Sequence, residues 1–367
     1  MNKNENIIKK RDTNFELLRI VAMIMIVILH FNNFGRILTD VQLGSKRYYV
    51  FYFLEYACII AVNLYVMITG FYMIKSKPKI KKLIVLELEV IFYSVGVYLI
   101  LILLNKANFN INILIKSMFP VITKQYWFMT AYIGLYLLIP FINKLVENLT
   151  KKDFKTMLII LTVLMSVIRT LYTTNTIFEA NNGYGLAWFI YLYLLAGYIR
   201  LYYDKKIKNL YLFLGYIAIV IIQLVLVTIS RGSNNAIAIN YLNISLSYNS
   251  FFILIESVLF FLLFKGINIK NNLLNKLILC VSPLTLSVYL IHENNAIRDI
   301  LWNEWLHPFT YLNDGIQLCI ALVVDTILIF TICCIIDKIR VILFSFVAKC
   351  NLIKKSERYL EKLNKSI

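Results

Sequence analysis

Long apolar segments separated by short polar loops are the main pattern of this chain. A helix needs about 20 residues to cross the hydrocarbon core of a bilayer, and segments of that length follow one another along the whole sequence. We predict ten membrane-spanning helices, at residues 16–34, 50–74, 83–104, 126–143, 156–173, 185–203, 209–230, 249–265, 277–292 and 316–336. The predicted fold class is therefore an all-α integral membrane bundle.

The distribution of Lys and Arg between the loops orients this bundle. Alternate loops, counted with both terminal segments, hold 27 of the 38 Lys and Arg residues, the opposite loops hold 8, and the spans hold three. Because cytoplasmic loops carry the excess of positive charge, both termini are predicted to be cytoplasmic. The chain then divides into a cytoplasmic amino-terminal segment at 1–15, one membrane domain at 16–336 and a basic cytoplasmic tail at 337–367.

Composition supports a membrane protein and excludes two other classes. Hydrophobic residues make up 60% of the chain and charged residues only 16%, which is unlike a soluble globular protein. The net charge of +18 lies in short runs between apolar segments, so it follows membrane topology and does not indicate nucleic-acid binding. The six cysteines have no metal-type spacing, and no metal site is expected.

Two ionisable residues of the first span share one helix face. Arg19 and His30 are eleven positions apart, which places them about 20° out of register and about 16 Å apart along the axis. Glu16 lies one turn before Arg19, where it can pair with the guanidinium. Ionisable groups at bilayer depth are costly unless they face a protein interior or a water-filled cavity, so the pair predicts a functional site. The structural alternative is that Arg19 snorkels to the cytoplasmic headgroups while His30 caps the opposite helix end.

Four further residues are candidates for contacts with a substrate. Tyr126 and Trp127 begin the fourth span, where an interfacial aromatic belt is the simpler explanation and a platform for a sugar ring is the functional one. Arg169, near the outer end of span five, could bind an anionic polymer or a lipid pyrophosphate. His292 ends span nine on the outer side, where the helix dipole alone would stabilise it.

The motifs give the chain its family resemblance. It resembles the membrane acyltransferase 3 family, whose ten-span domain carries an Arg-x10-His motif in its first helix, here Arg19 and His30 in FELLRIVAMIMIVILH. The resemblance extends to ITGFYM in span two, Trp127–Phe128 in span four, YLYLLAGYIR in span six and TLSVYLIH in span nine. The loop after span two holds lysines only, where family members often carry an arginine pair. We interpret this loop as an ordinary cytoplasmic basic run.

The resemblance implies an activity and its partners. It implies transfer of an acyl group, commonly acetyl from acetyl-CoA, to a hydroxyl of a surface glycan or lipid-linked sugar outside the cytoplasm, by a multi-pass protein of the bacterial plasma membrane. Arg19, oriented by Glu16, would hold the anionic donor, and His30 would act as general base or as acyl carrier. The alternative is a transporter or flippase in which the same polar line is a substrate or proton pathway.

Overall fold

The computed structural model describes residues 12–172, 181–233 and 235–347, and within these ranges every regular element is a helix. The described helices of eight residues or more, numbered in chain order, are α1 Thr13–Phe34, α2 Lys46–Cys58, α3 Ala61–Met73, α4 Ile80–Leu103, α5 Ile111–Met118, α6 Trp127–Glu147, α7 Lys151–Thr162, α8 Leu186–Tyr202, α9 Asn209–Arg231, α10 Ala236–Ile244, α11 Phe251–Lys265, α12 Asn272–Val281, α13 Thr285–His292 and α14 Gly315–Val347.

The helices agree with the predicted membrane bundle. Two predicted spans fall on the shorter helices α8 and α11, of 17 and 15 residues, which are about 26 and 22 Å long. The prediction of an all-α membrane bundle is confirmed, while the count of ten spans and the cytoplasmic termini remain predictions. The described segments that are long and apolar enough to cross a membrane number eight: Thr13–Phe34, Lys46–Met73, Ile80–Leu103, Trp127–Glu147, Lys151–Leu171, Asn209–Arg231, Asn272–His292 and Gly315–Ser345.

The predicted domain boundaries lie partly beyond the described ranges. Residues 1–11 of the amino-terminal segment and residues 348–367 of the tail are outside the described residues. The last helix, α14, continues to Val347, past the predicted end of span ten at 336. The division into segment, membrane domain and tail stays a prediction.

Helix α1 and the α2–α3 pair form the centre of the bundle. The apolar window of Lys46–Met73 is 78% buried and that of Thr13–Phe34 is 56% buried, against 28% for Asn209–Arg231. Helix α1 packs against α2, α3, α11, α12, α13 and α14. The first span is therefore surrounded by helices from both halves of the chain, and the side chains of Glu16 and His30 are only 12% and 19% exposed.

A glycine allows α3 and α8 to approach closely. A Cβ atom at Gly70 of α3 would lie only 2.4 Å from the carbonyl oxygen of Tyr193 on α8. A side chain of any size would force the two backbones apart, so this contact requires glycine.

A buried amide fixes the loop before α11 against α3. Asn63 is fully buried, and its Nδ2 donates to the carbonyl oxygen of Tyr248 at 2.9 Å and to the hydroxyl of Ser257 at 3.1 Å. Its Oδ1 accepts from the indole nitrogen of Trp188 at 3.0 Å. Since every one of these groups would be costly to leave unpaired, the network holds Tyr248 in place beside the cavity described next.

Candidate active site

A cavity of about 370 Å³ lies against the second half of α1. His30 lines it together with the apolar side chains of Met23 and Ile26 from the same helix. Two carboxylates, Glu55 of α2 and Glu293 after α13, also reach its wall. The cavity thus combines an imidazole and acidic groups with a mostly apolar surface, which is typical of a small-molecule site.

The imidazole of His30 is held by the end of α13. Its Nδ1 lies 2.8 Å from Nε2 of His292 and 3.4 Å from Oε2 of Glu293. The Nδ1 of His292 contacts the carbonyl oxygen of Val288, one turn earlier in α13. The His30 side chain is 19% exposed, whereas His292 is buried at 1%.

These contacts assign the tautomer of both rings. A carbonyl oxygen can only accept, so the Nδ1 of His292 carries the proton in its bond to Val288. In the neutral ring its Nε2 is then an acceptor, and the Nδ1 of His30 must donate to it. The Nε2 of neutral His30 is therefore unprotonated, and it has no hydrogen-bond partner within the described residues. A nitrogen in this state, on a ring that lines a cavity, can accept a proton from a bound hydroxyl.

Glu293 is the acidic neighbour of His30. It is 8% exposed, and burial raises the pKa of its carboxyl to about 7, against the opposing effect of Arg298. Its Oε1 accepts from Arg298 at 3.3 Å, and that guanidinium lies 4.5 Å over the ring of Phe34 in α1. The carboxyl group is thereby fixed beside the His30 ring, where its negative charge would stabilise an imidazolium.

Glu55 is a cavity residue that the sequence analysis missed. Its two carboxylate oxygens accept from the side-chain amides of Asn32 and Asn33, each at 2.9 Å. These asparagines follow His30 by two and three positions, so their bonds to Glu55 anchor the end of α1 to α2. The available signal was an acidic residue inside an apolar span, which predicts an interior position but does not identify the partner.

Aromatic side chains form the wall of the cavity contributed by α6 and two loops. The ring of Trp127 lies 4.4 Å from that of Tyr184 and 5.8 Å from that of Tyr248, with the latter pair stacked at 22°. All three line the cavity. Tyr184 and Tyr248 lie outside the helices, where no hydrophobic period marks them, and the sequence analysis did not select them.

Tyr126 lies next to the cavity without lining it and binds residues near its wall. Its hydroxyl donates to the carbonyl oxygen of Leu290 at 2.8 Å and accepts from Asn294 Nδ2 at 2.8 Å. It is not among the lining residues, unlike its neighbour Trp127. Because Leu290 lies in α13, this bond positions the helix end that carries His292.

Arg19 and Glu16 lie together at the opposite end of α1. Arg19 Nε is 3.9 Å from Glu16 Oε2, an ion-pair contact, and the Arg19 side chain is 38% exposed. Glu16 also accepts from the Ser282 hydroxyl at 2.6 Å. Arg19 does not line the cavity, but its carbonyl oxygen accepts at 2.8 Å from the hydroxyl of Tyr65, which does. The cavity thus extends from His30 to within about one helical turn of Arg19, since Met23 is four positions away.

Arg169 lies apart from the other candidates. It is 6% exposed, its guanidinium donates to Oδ1 of Asn182, and it does not line the cavity. The structure therefore brings His30, His292 and Trp127 to one cavity, with Tyr126 behind it, the Glu16–Arg19 pair at the other end of α1 and Arg169 elsewhere. Within the described ranges no group of three metal-ligating side chains occurs.

Comparison with known families identifies the class of this all-helical membrane protein. A family model described as an acyltransferase domain matches residues 12–338, nearly the whole chain. The chain belongs to the acyltransferase 3 family and is a membrane acyltransferase. No curated protein and no solved structure matches it significantly. The donor, the acceptor and the residue roles therefore depend on the site itself.

Proposed function

We propose that this protein transfers an acetyl group from cytoplasmic acetyl-CoA to a hydroxyl of a surface glycan or lipid-linked sugar on the outer side of the plasma membrane. The observation that carries the proposal is the hydrogen-bonded chain from His30 through His292 to the Val288 carbonyl, which assigns an unprotonated Nε2 to a His30 ring that lines an aromatic-walled cavity. Such a nitrogen suits the acceptance of a hydroxyl proton.

The proposed reaction is a direct transfer. His30 Nε2 takes the proton of the acceptor hydroxyl while the oxygen attacks the thioester carbonyl of acetyl-CoA. The carbon–sulfur bond then breaks, the imidazolium returns the proton to the leaving thiolate, and an ester and CoA result. Glu293, 3.4 Å from the protonated Nδ1, would stabilise the imidazolium between these steps.

The aromatic wall supports a sugar as the acceptor. Trp127, Tyr184 and Tyr248 line the cavity, and aromatic rings pack against the apolar faces of sugars while hydroxyls bind their polar edges. The volume of about 370 Å³ accommodates one or two sugar rings and no long polymer segment. The acceptor hydroxyl would therefore lie near a chain end or on one exposed sugar.

The position of Arg19 supports a donor that enters from the cytoplasmic side. With the predicted topology, Arg19 lies at the cytoplasmic end of α1 and His30 at the outer end. A guanidinium there can hold a phosphate of CoA through paired hydrogen bonds. The thin pantetheine arm would then extend past Tyr65 and Met23 toward His30, over about 16 Å of helix.

Label transfer by the purified protein tests this proposal. The full chain in lipid nanodiscs, given acetyl-CoA labelled in the acetyl group and a cell-envelope glycan extract, should pass label to the glycan and release CoA in equal amounts. Preferential label transfer from another acyl-CoA would show that the donor carries an acyl group other than acetyl. Release of one CoA per protein without acceptor would indicate an acyl-histidine intermediate. No label transfer with any acyl-CoA would overturn the proposal.

A further inference from the structure

A second cavity, of about 360 Å³, adjoins the first on the side of α9 and α10. Leu246 lines both cavities. On α2, Tyr52 lines the second cavity and Glu55, one helical turn later, lines the first. The two cavities are therefore neighbours with a shared side chain between them. Five of the nine residues that line the second one are polar: Tyr52, Ser230, Arg231, Ser233 and Ser245.

Arg231, the last residue of α9, is the only cation among these nine lining residues. Its guanidinium carbon lies 4.6 Å from the centroid of the Tyr52 ring. No carboxylate within ion-pair distance and no hydrogen-bond acceptor engages it within the described part of the chain. Its N–H groups are therefore available to an oxyanion, which a guanidinium binds through paired hydrogen bonds.

A serine hydroxyl provides a second donor at this cavity. Ser230 precedes Arg231, is 7% exposed and lines the cavity. Its hydroxyl makes no hydrogen bond to any described residue. Because Ser230 lines the cavity, its hydroxyl can donate to a ligand oxygen that also contacts Arg231.

We propose that the second cavity binds the phosphate of a lipid-linked sugar acceptor, while the sugar enters the first cavity and presents its hydroxyl to His30. The ligand's anionic group matches the free guanidinium edge and the Ser230 hydroxyl. Ile239, which lines the cavity, and Ile229 and Ile237 on the same two helices are exposed, and in the predicted topology this is the outer leaflet, so they suit the lipid chain. The inference rests on the proposed function only in calling the ligand an acceptor.

Binding of inorganic pyrophosphate and farnesyl pyrophosphate tests the site without any need for catalysis. Calorimetry uses the full chain in zwitterionic nanodiscs, with Arg231→Gln, Arg231→Lys and, as a control, Arg36→Gln. Arg36 is another arginine of an outer loop, 61% exposed and paired with Asp40. We expect Arg231→Gln to weaken binding of both probes by about tenfold to a hundredfold, Arg231→Lys to weaken it less, and Arg36→Gln to leave it unchanged.

Two results would overturn the proposal, and a third would change the source of the phosphate. Equal binding of both probes by wild type and Arg231→Gln would exclude Arg231 as the anion site. A loss of binding in Arg36→Gln equal to that in Arg231→Gln would also exclude it, because it would show an effect of net charge alone. Displacement of farnesyl pyrophosphate by phosphatidylglycerol nanodiscs would assign the site to ordinary phospholipid and overturn the acceptor role. These outcomes are independent of acetyl transfer, so a failure of the proposed function would be seen separately, as absent label transfer by a protein that still binds the probes.

Discussion

The Nδ1 atom of His30 lies 2.8 Å from the Nε2 atom of His292, although 262 positions separate the two residues in the chain. Because His292 Nδ1 is committed to the carbonyl oxygen of Val288, the contact has a defined direction, from His30 to His292. One histidine thus sets the protonation state of the other. Many proteins orient a functional imidazole in the same way, through a hydrogen bond to the ring nitrogen that does not take part in the reaction.

His292→Ala removes this orienting acceptor. We expect kcat for acyl transfer to fall by about tenfold to a hundredfold, by analogy with the loss of the hydrogen-bond partner of a metal-bound imidazole, with little change in KM for acceptor or donor. His292→Gln should recover part of the rate, because its amide oxygen can accept from His30 Nδ1. Steady-state kinetics with both substrates varied measures kcat and the two KM values separately.

The control for this change is His307→Asn. His307 lies in a predicted outer loop, does not line the cavity, and has a positive φ of 49°, a conformation that Asn tolerates. It should keep wild-type kinetics. An unchanged kcat in His292→Ala would mean that His292 is only a packing residue.

Trp127→Ala tests the aromatic wall. Loss of the indole removes contacts with both Tyr184 and Tyr248 and enlarges the cavity proposed to bind the acceptor, so KM for the acceptor should rise by about tenfold while KM for acyl-CoA stays constant. Trp127→Phe should retain most of the affinity. Trp305→Ala, at a tryptophan 46% exposed and outside the cavity, is the matched control. A rise in donor KM instead would reassign the wall to the donor.

Arg19 variants test the proposed contact between α1 and the donor. Arg19→Ala should raise KM for acyl-CoA strongly, and Arg19→Lys should restore the charge but not the paired hydrogen bonds, so it should remain impaired. Lys205→Ala, at an exposed cation of a predicted cytoplasmic loop, should have no effect. Donor kinetics that are normal in both Arg19 variants, with altered accessibility of the loops to proteases, would favour the snorkelling explanation.

Gly70→Ala tests the packing of α3 on α8. The added methyl would lie 2.4 Å from the Tyr193 carbonyl oxygen, and such overpacking typically costs about 1–3 kcal/mol. We expect a clear fall in Tm in detergent. Gly96→Ala is the matched control, since nothing lies within 4 Å of a Cβ at that position, and its Tm should stay the same or rise slightly. Equal Tm values for the two variants would contradict the close approach.

The sequence was sufficient for the helical bundle because hydropathy reports each span locally. It also placed Arg19 and His30 correctly on one helix, since spacing within a helix fixes the angle between side chains. It could not show that the cavity reaches His30 but ends about one turn from Arg19, because that depends on which neighbouring helices pack against each end of α1.

Contacts between distant segments explain the other residues that the sequence analysis missed. Glu55 meets the end of α1 through Asn32 and Asn33. Tyr248 reaches the cavity because buried Asn63 binds its backbone. No periodic pattern in the sequence predicts these contacts, because they form only when the helices pack together.

Removal of the His30 imidazole is the most direct test of the account. Wild type and His30→Ala, at equal Tm and equal amount in nanodiscs, are given labelled acetyl-CoA and glycan acceptor, and label in the glycan is counted. We predict that His30→Ala loses at least about a hundredfold in rate, the usual contribution of a general base. Transfer by His30→Ala at the wild-type rate would contradict the assignment of His30 as the base of this acyltransferase.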